Sequence, residues 1–131
     1  MGIKTSITID THCLVWYVHE ELNKKLSGKA MQIIAEAENS SNIYIPTIVL
    51  MEIYDLEEKE RIPKTFDMLM SNITDSDNYK MIPFDDKILS IALSIKGLEI
   101  HDRIIFATAK LTESILVTKD QVIRANYDVL W

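Results

Sequence analysis

The chain has 131 residues, of which 47% are hydrophobic and 26% are charged, a balance that excludes a disordered or fibrous protein and fits one globular domain over residues 1–131. A formal net charge of −6 excludes attraction of nucleic acid by the overall field, so contact with a polyanion requires a local basic patch. The single cysteine, Cys13, excludes an internal disulfide, and no apolar run approaches the roughly 20 residues of a membrane span. We therefore expect a cytoplasmic protein without a membrane partner.

Short apolar runs alternate with helical periodicity along the chain. Strands are predicted at residues 3–9, 42–46, 79–83, 114–118 and 127–130. Helices are predicted at residues 11–18, 28–38, 47–60, 63–74, 85–96 and 101–112, with a short helix near 120–125. This alternation predicts the α/β class, a three-layer α/β/α domain with a mostly parallel five-stranded sheet.

Several residues are candidates for helix ends. Ser27, Thr47 and Asp85 suit N-caps, Pro63 suits a first helical turn, and Gly97 suits the end of the helix before it. The chain has only three glycines and no Gly-rich pattern, which excludes a P-loop and a dinucleotide fingerprint.

Two aspartates follow predicted strands. Asp10 comes directly after the first strand, and Asp120 lies two residues beyond Thr118 at the end of the strand "SILVT". In open α/β sheets, ligands bind beyond the carboxyl ends of the strands. We therefore expect both carboxylates to face the same edge of the sheet.

Two further acids break a helical pattern. Glu52 falls on a core-facing stripe of the predicted third helix, where an ionised carboxylate requires a cation or a strong donor. Asp102 opens the helix "HDRIIFATAKL", whose first turn favours an anion. Taken singly, Asp10 and Asp102 could be helix caps, Asp120 a turn residue, and Glu52 the partner of a buried Arg or Lys.

Taken together, these four acids predict a cluster of hard oxygen ligands for Mg²⁺ or Mn²⁺. Zinc is not expected, because His12, His19 and His101 lack a paired spacing and there is no second cysteine. The histidines are interpreted as structural residues or as residues that support the acidic ligands.

Three sequence segments carry a family resemblance. "IDTHCLVW" resembles the first motif of the PIN domain, in which an aspartate ends strand one, and "PTIVLMEIYDL" resembles the second, in which an acid follows the helix start. "HDRIIFATAKLTESILVTKD" resembles the third and fourth motifs, with Asp-Arg opening an Ala-rich helix and T-x-D closing the next strand. The order and spacing of these segments cover essentially the whole chain, including "FDDKILSIAL" ahead of the third motif.

The resemblance is to PIN domain ribonucleases of the VapC type, the toxins of toxin–antitoxin pairs. It implies a parallel sheet, an acidic pocket and Mg²⁺- or Mn²⁺-dependent endoribonuclease activity on RNA, with Asp10, Glu52, Asp102 and Asp120 as catalytic and metal-binding residues. It also implies Thr118 as a supporting hydroxyl, a homodimer, and a cognate antitoxin as partner. Glu99 occupies the place of a second aspartate in one subgroup of the family and is left outside the core site.

Other side chains have two interpretations at this stage. The basic residues could contact backbone phosphates or form ordinary solvated surface; they are Lys24, Lys25, Lys29, Arg61, Lys64, Arg103 and Lys119. The apolar runs "CLVWYV" and "FDMLMSNI" could pack in the core or contribute to a dimer face or an antitoxin groove.

Two alternative functions stay open on the sequence. One is a PIN-fold protein that binds a partner or RNA, or regulates, without cleavage. The other is a signalling receiver domain, which has a similar length and a carboxylate-bound Mg²⁺. A receiver requires an acidic pair near strand one and an aspartate after a middle strand, whereas here Thr11 follows Asp10 and the second strand ends in Pro46.

Overall fold

A computed structural model describes residues 5–120, 123, 124, 127 and 129–131. The strands are β1 (Ile7–Ile9), β2 (Ile43–Pro46), β3 (Tyr79–Ile82) and β4 (Ile115–Val117). The helices are α1 (Thr11–Val18), α2 (Gly28–Ser40), α3 (Thr47–Glu58), α4 (Phe66–Asp75), α5 (Asp86–Leu93) and α6 (Ile100–Thr112). A 3-10 helix, Glu20–Lys25, lies between α1 and α2.

The four strands form one parallel sheet in the order β3-β2-β1-β4. Ile7 of β1 lies opposite Ile43 of β2 on one side and Ile115 of β4 on the other. All three residues of β1 are completely buried, and successive side chains of a strand point to opposite faces, so both faces of the central sheet are covered. The predicted α/β class with a parallel sheet is confirmed.

The sheet has four strands in the described residues rather than the predicted five. Where the fifth strand was predicted, at residues 127–130, Leu130 makes a single parallel bridge to Val117. Asp128 lies outside the described residues, as do residues 3 and 4 of the first predicted strand and residues 121, 122 and 125 of the predicted short helix. Among the described residues of this segment, this bridge is the pairing that holds it against β4.

Two of the predicted N-caps are confirmed. The Ser27 side chain accepts a hydrogen bond from the Ala30 amide, and the Asp85 carboxylate accepts from the amides of Lys87 and Ile88. Thr47 is not an N-cap, because β2 runs directly into α3 and Pro46 takes the cap position.

The predicted ends near Pro63 and Gly97 are wrong. Helix α4 begins at Phe66, and the Glu57 carboxylate accepts hydrogen bonds from the amides of Thr65 and Phe66. These bonds lower the pKa of Glu57 and provide acceptors for two amides at the start of the helix, three residues after Pro63. Helix α5 ends at Leu93, and Gly97 supplies a left-handed turn (φ +84°) ahead of α6.

The 3-10 helix is absent from the sequence prediction. It is secured by Asn23, whose side-chain amide donates to the carbonyls of Trp16 (2.7 Å), Tyr17 (3.0 Å) and His19 (3.2 Å). These three carbonyls belong to the last turn of α1 and its C-cap, so Asn23 ties the following segment to the end of α1.

Parallel pairing brings the carboxyl ends of β1 and β4 together, with Ile9 paired to Val117. The residues that follow these strands therefore meet at one edge of the sheet. Among the described residues, no helix is long and apolar enough to span a membrane.

Candidate active site

The four predicted acids converge at this edge. Asp10, Glu52, Asp102 and Asp120 line one cavity of about 370 Å³. Five other residues complete its wall: Thr11, His12, Trp16, Ile105 and Lys119. Residues separated by more than a hundred positions in the chain thus face a common space.

Asp10 combines two roles that the sequence left as alternatives. It is the N-cap of α1, where its Oδ1 accepts from the Cys13 amide at 3.0 Å. Its Oδ2 accepts from the hydroxyl of Thr118. Both oxygens are thereby oriented at the cavity wall, and the carboxylate is held in one position.

Thr118 connects Asp10 with Asp120. The side chain is completely buried, its hydroxyl donates to Asp10, and its Oγ1 accepts from the Asp120 amide at 3.0 Å. Asp120 in turn accepts from the Ile123 amide through Oδ1 at 2.9 Å, so its expected turn role and its place in the cavity coexist. One buried hydroxyl fixes the relative position of two carboxylates.

Glu52 lies at the border of the core. On α3, Val49 and Ile53 are completely buried, whereas the Glu52 side chain is 29% exposed and reaches the cavity. Its Oε1 accepts from the Thr11 hydroxyl at 2.9 Å, and its Oε2 lies 3.5 Å from Nδ1 of His101. The alternative of a buried Arg or Lys partner is not met by any described residue.

Asp102 is not the cap of α6. Glu99 takes that position, and its Oε1 accepts from the Asp102 amide at 2.9 Å. The role of Glu99 is therefore explained by capping. The carboxylate of Asp102 accepts no hydrogen bond from the described residues and faces the cavity.

Burial and neighbouring charge raise the pKa of Asp102 to about 6. Burial is the largest cause, followed by the negative charges of Asp120, Glu99, Asp10 and Glu52. This is the response expected when several carboxylates share a partly desolvated space.

Cations are scarce around this charge. Among the described residues, no Lys or Arg nitrogen lies within 4 Å of the four carboxylates. Lys119 lines the cavity, but its ammonium lies over the rings of Trp16 and Trp131. The sequence analysis did not identify Thr11 or Trp16, whose only signal was their position in the first motif.

The three histidines have different surroundings. His19 is buried and its Nε2 is hydrogen-bonded to Thr65 Oγ1 at 2.9 Å, whereas His101 contacts Glu52. His12 is exposed at the cavity wall and packs against Trp16 at 5.7 Å between ring centroids.

Removing the Thr118 hydroxyl should loosen this arrangement. Thr118→Val keeps the shape but leaves the Asp120 amide and the Asp10 carboxylate without their partner, so we expect a loss of about 2 kcal/mol in the free energy of unfolding. Urea denaturation measures it. Thr118→Ser, which keeps the hydroxyl, is the control, and a valine variant more stable than the serine variant would contradict the assignment.

The raised pKa of Asp102 predicts a pH dependence of stability. Between its ordinary value, about 3.8, and about 6, the folded protein binds more protons at this carboxyl than the unfolded chain does. The free energy of unfolding should therefore fall as the pH rises through that window. We expect Asp102→Asn to stabilise the protein at neutral pH in a chelating buffer, and to have little effect near pH 4.

Denaturation at the two pH values provides the measurement. Asp86→Asn, an exposed residue in the first turn of α5, is the matched control and should show no such difference. Equal effects of the two substitutions at neutral pH would refute the electrostatic interpretation.

Comparison with known structures agrees with the fold. A toxin–antitoxin complex from Klebsiella pneumoniae is similar with a TM-score of 0.65 at 16% identity, over 95% of this chain and 96% of that chain. VapBC2 from Rickettsia felis, bound to a DNA fragment from the promoter, is similar with a TM-score of 0.64 at 18% identity over 96% of both chains. VapC20 of Mycobacterium tuberculosis, a toxin that cleaves the sarcin-ricin loop, gives 0.63 at 14% identity over 93% of this chain and 96% of that one.

Comparison of the sequence with curated proteins gives no match. The family model of the PIN domain, however, matches residues 7–128. This match rejects the receiver-domain alternative, because it assigns nearly the whole chain to a different family. With the parallel sheet and the four predicted motif acids in one cavity, the chain belongs to the PIN domain family.

Proposed function

We propose that this protein is a divalent-metal-dependent endoribonuclease that hydrolyses RNA phosphodiester bonds and acts as the toxin of a toxin–antitoxin pair. Asp10, Glu52, Asp102 and Asp120 are its catalytic and metal-binding residues. The ion is Mg²⁺ or Mn²⁺, and the site of action is the cytoplasm.

The observation that carries this proposal is the environment of Asp102. It is a partly buried carboxylate beside three others, it accepts no hydrogen bond from a described residue, and no described Lys or Arg neutralises it. A cluster of this kind is electrostatically unfavourable unless a cation binds to it. Binding of a functional cation is therefore the simplest explanation for why the four acids share one cavity.

The donor set fits a hard divalent cation. All four groups are carboxylates, which suit Mg²⁺ or Mn²⁺ rather than Zn²⁺. In the described residues no three acidic, histidine or cysteine side chains are grouped closely enough to hold an ion by themselves. This fits an ion that keeps several of its waters, as Mg²⁺ does in sites built from one or two direct carboxylates.

When bound, such an ion polarises the scissile phosphate and lowers the pKa of the attacking water. The chain's own residues orient the ligands. Thr118 and the Cys13 amide fix Asp10, and Thr11 fixes one oxygen of Glu52. Ile105, almost completely buried, provides an apolar wall that strengthens electrostatic interactions inside the cavity.

Family membership and the similar structures support RNA as substrate and an antitoxin as partner, since the three similar structures are toxins or toxin–antitoxin complexes. Homodimerisation belongs to the same proposal. The apolar runs predicted as possible contact faces serve mainly the core, because Cys13, Leu14, Val15 and Leu69 are all buried.

Charge removal at the site should abolish cleavage. Asp10→Asn and Asp102→Asn each remove a ligand charge and should lower the rate of RNA cleavage by about 100-fold or more. The measurement follows cleavage of single-stranded and structured RNA with Mg²⁺ or Mn²⁺ and with a chelator. Asp86→Asn, exposed on α5, should cleave like wild type.

The same variants test the toxin role when they are expressed from an inducible promoter in a bacterial host. Wild type and Asp86→Asn should arrest growth, and Asp10→Asn should not. Cleavage that persists in the chelator, or that is equal in wild type and Asp10→Asn, would reject the proposed function. A folded wild type that binds RNA without cleaving it would instead favour the non-catalytic alternative.

A further inference from the structure

The acidic cavity creates a problem for an RNA strand. Four carboxylates and a net charge of −6 repel phosphates even where a bound ion offsets part of the local charge. A strand that reaches the cavity requires cations at its rim. The described residues provide one basic side chain in the cavity wall, Lys119.

Lys119 belongs to a cluster of two tryptophans and two lysines, which we term the Trp–Lys cluster: Trp16, Trp131, Lys25 and Lys119. The Lys119 ammonium lies 5.5 Å from the ring centroid of Trp16 and 5.7 Å from that of Trp131. The Lys25 ammonium lies 5.9 Å from the Trp16 ring, and the two indoles meet edge to face at 6.3 Å. Both lysines are exposed, and both indoles are partly buried.

Hydrogen bonds connect the segments that carry the cluster. The side-chain amide of Asn23 donates to the carbonyl of Trp16, which ties the 3-10 helix bearing Lys25 to α1. Leu130 exchanges hydrogen bonds with β4 and its end, donating to Leu116 (3.0 Å) and accepting from Thr118 (3.1 Å). Trp131 is thereby placed beside Lys119, and Trp16 extends from α1 into the cavity wall.

The ammonium groups of both lysines face aromatic rings. Neither ammonium pairs with a carboxylate of the described residues within 4 Å, although the chain has 20 acidic residues. Both are held over one ring instead, an interaction that orients an ammonium without neutralising it. Two positive charges are thus placed around the Trp16 indole, and Trp16 and Lys119 line the cavity that holds the four negative ones.

We propose that the Trp–Lys cluster is the subsite that holds the single-stranded part of the RNA next to the cleaved bond. Lys119 and Lys25 bind backbone phosphates, and the indole surface that they leave stacks with an unpaired base. Basic side chains combined with aromatic faces are the means by which proteins bind single strands without reading their sequence. This inference rests on the proposed function, since it takes RNA as the substrate of the adjacent cavity.

The chain offers a direct optical test. Its only two tryptophans are both in the cluster, so intrinsic tryptophan fluorescence reports on this site alone. In the Asp10→Asn background, titration with a short random-sequence single-stranded RNA in Mg²⁺ should quench this fluorescence to saturation. Unchanged fluorescence during RNA binding that is detected by a labelled RNA would overturn the subsite.

A matched lysine provides the control. Lys110 lies over the Phe106 ring at 5.6 Å, the same type of contact, but it does not line the cavity. Lys119→Gln should raise the Kd for RNA about fivefold at low salt and lower the slope of log Kd against log salt by about 0.7, one single-strand phosphate contact. Lys110→Gln should change neither quantity.

The outcomes separate this inference from the proposed function. Cleavage by wild type with equal RNA binding by the Lys119→Gln and Lys110→Gln variants would reject the subsite and leave the nuclease intact. Saturable quenching that Lys119→Gln weakens, in a protein without cleavage, would support the subsite and reject the nuclease. Lys119→Gln and Lys110→Gln each remove an exposed ammonium from an aromatic ring, so both should lower the thermal unfolding midpoint only slightly, which checks that folding is intact.

Discussion

Repulsion among carboxylates at the end of the parallel sheet is the constraint on which the site depends. Asp10 and Asp120 are brought together because β1 and β4 are adjacent and parallel, and α3 and α6 add Glu52 and Asp102. No described Lys or Arg neutralises them, and burial together with the neighbouring negative charges raises the pKa of Asp102 to about 6. The fold therefore holds an electrostatic penalty at the position where a cation is proposed to bind, which is a common cost of function.

Hydrogen bonds fix the positions of these mutually repelling carboxylates. The Thr118 hydroxyl lies between Asp10 and Asp120, and Thr11 holds Glu52. These neutral side chains orient the acids without removing their charge. A lysine or arginine in the same positions would stabilise the protein but would compete with the ion.

The sequence predicted the parts that depend on periodicity. Patterns within single elements were enough to predict the α/β alternation and the position of Asp10 and Asp120 after strands. They also predicted that Glu52 lies on a core-facing stripe of its helix. The parts that depend on side-chain direction could not be predicted in this way. Glu99 rather than Asp102 caps α6 because of the direction of a side chain within one turn. The roles of Glu57 at the start of α4 and of Asn23 in the 3-10 helix are decided by contacts between segments. In the described residues, the segment predicted as the fifth strand is held to β4 by one bridge, because an apolar run does not by itself determine how many residues pair.

The acidic cavity and the Trp–Lys cluster beside it carry opposite charges. The carboxylates concentrate negative charge where an ion is proposed to sit, and the Trp–Lys cluster places positive charge at the rim, where an RNA backbone would pass. An acidic protein can act on a polyanion in this way, because short-range contacts outweigh a screened overall field. The net charge of the chain is therefore compatible with an RNA substrate.

The central claim is that the four carboxylates bind a shared divalent ion, and diffraction from crystals grown with Mn²⁺ tests it most directly. The account predicts an anomalous peak in the cavity, about 2.1 Å from an oxygen of at least one of the four acids, with waters completing its coordination. A well-ordered cavity that holds no Mn²⁺ at a saturating concentration, or an ion bound only elsewhere on the protein, would contradict it.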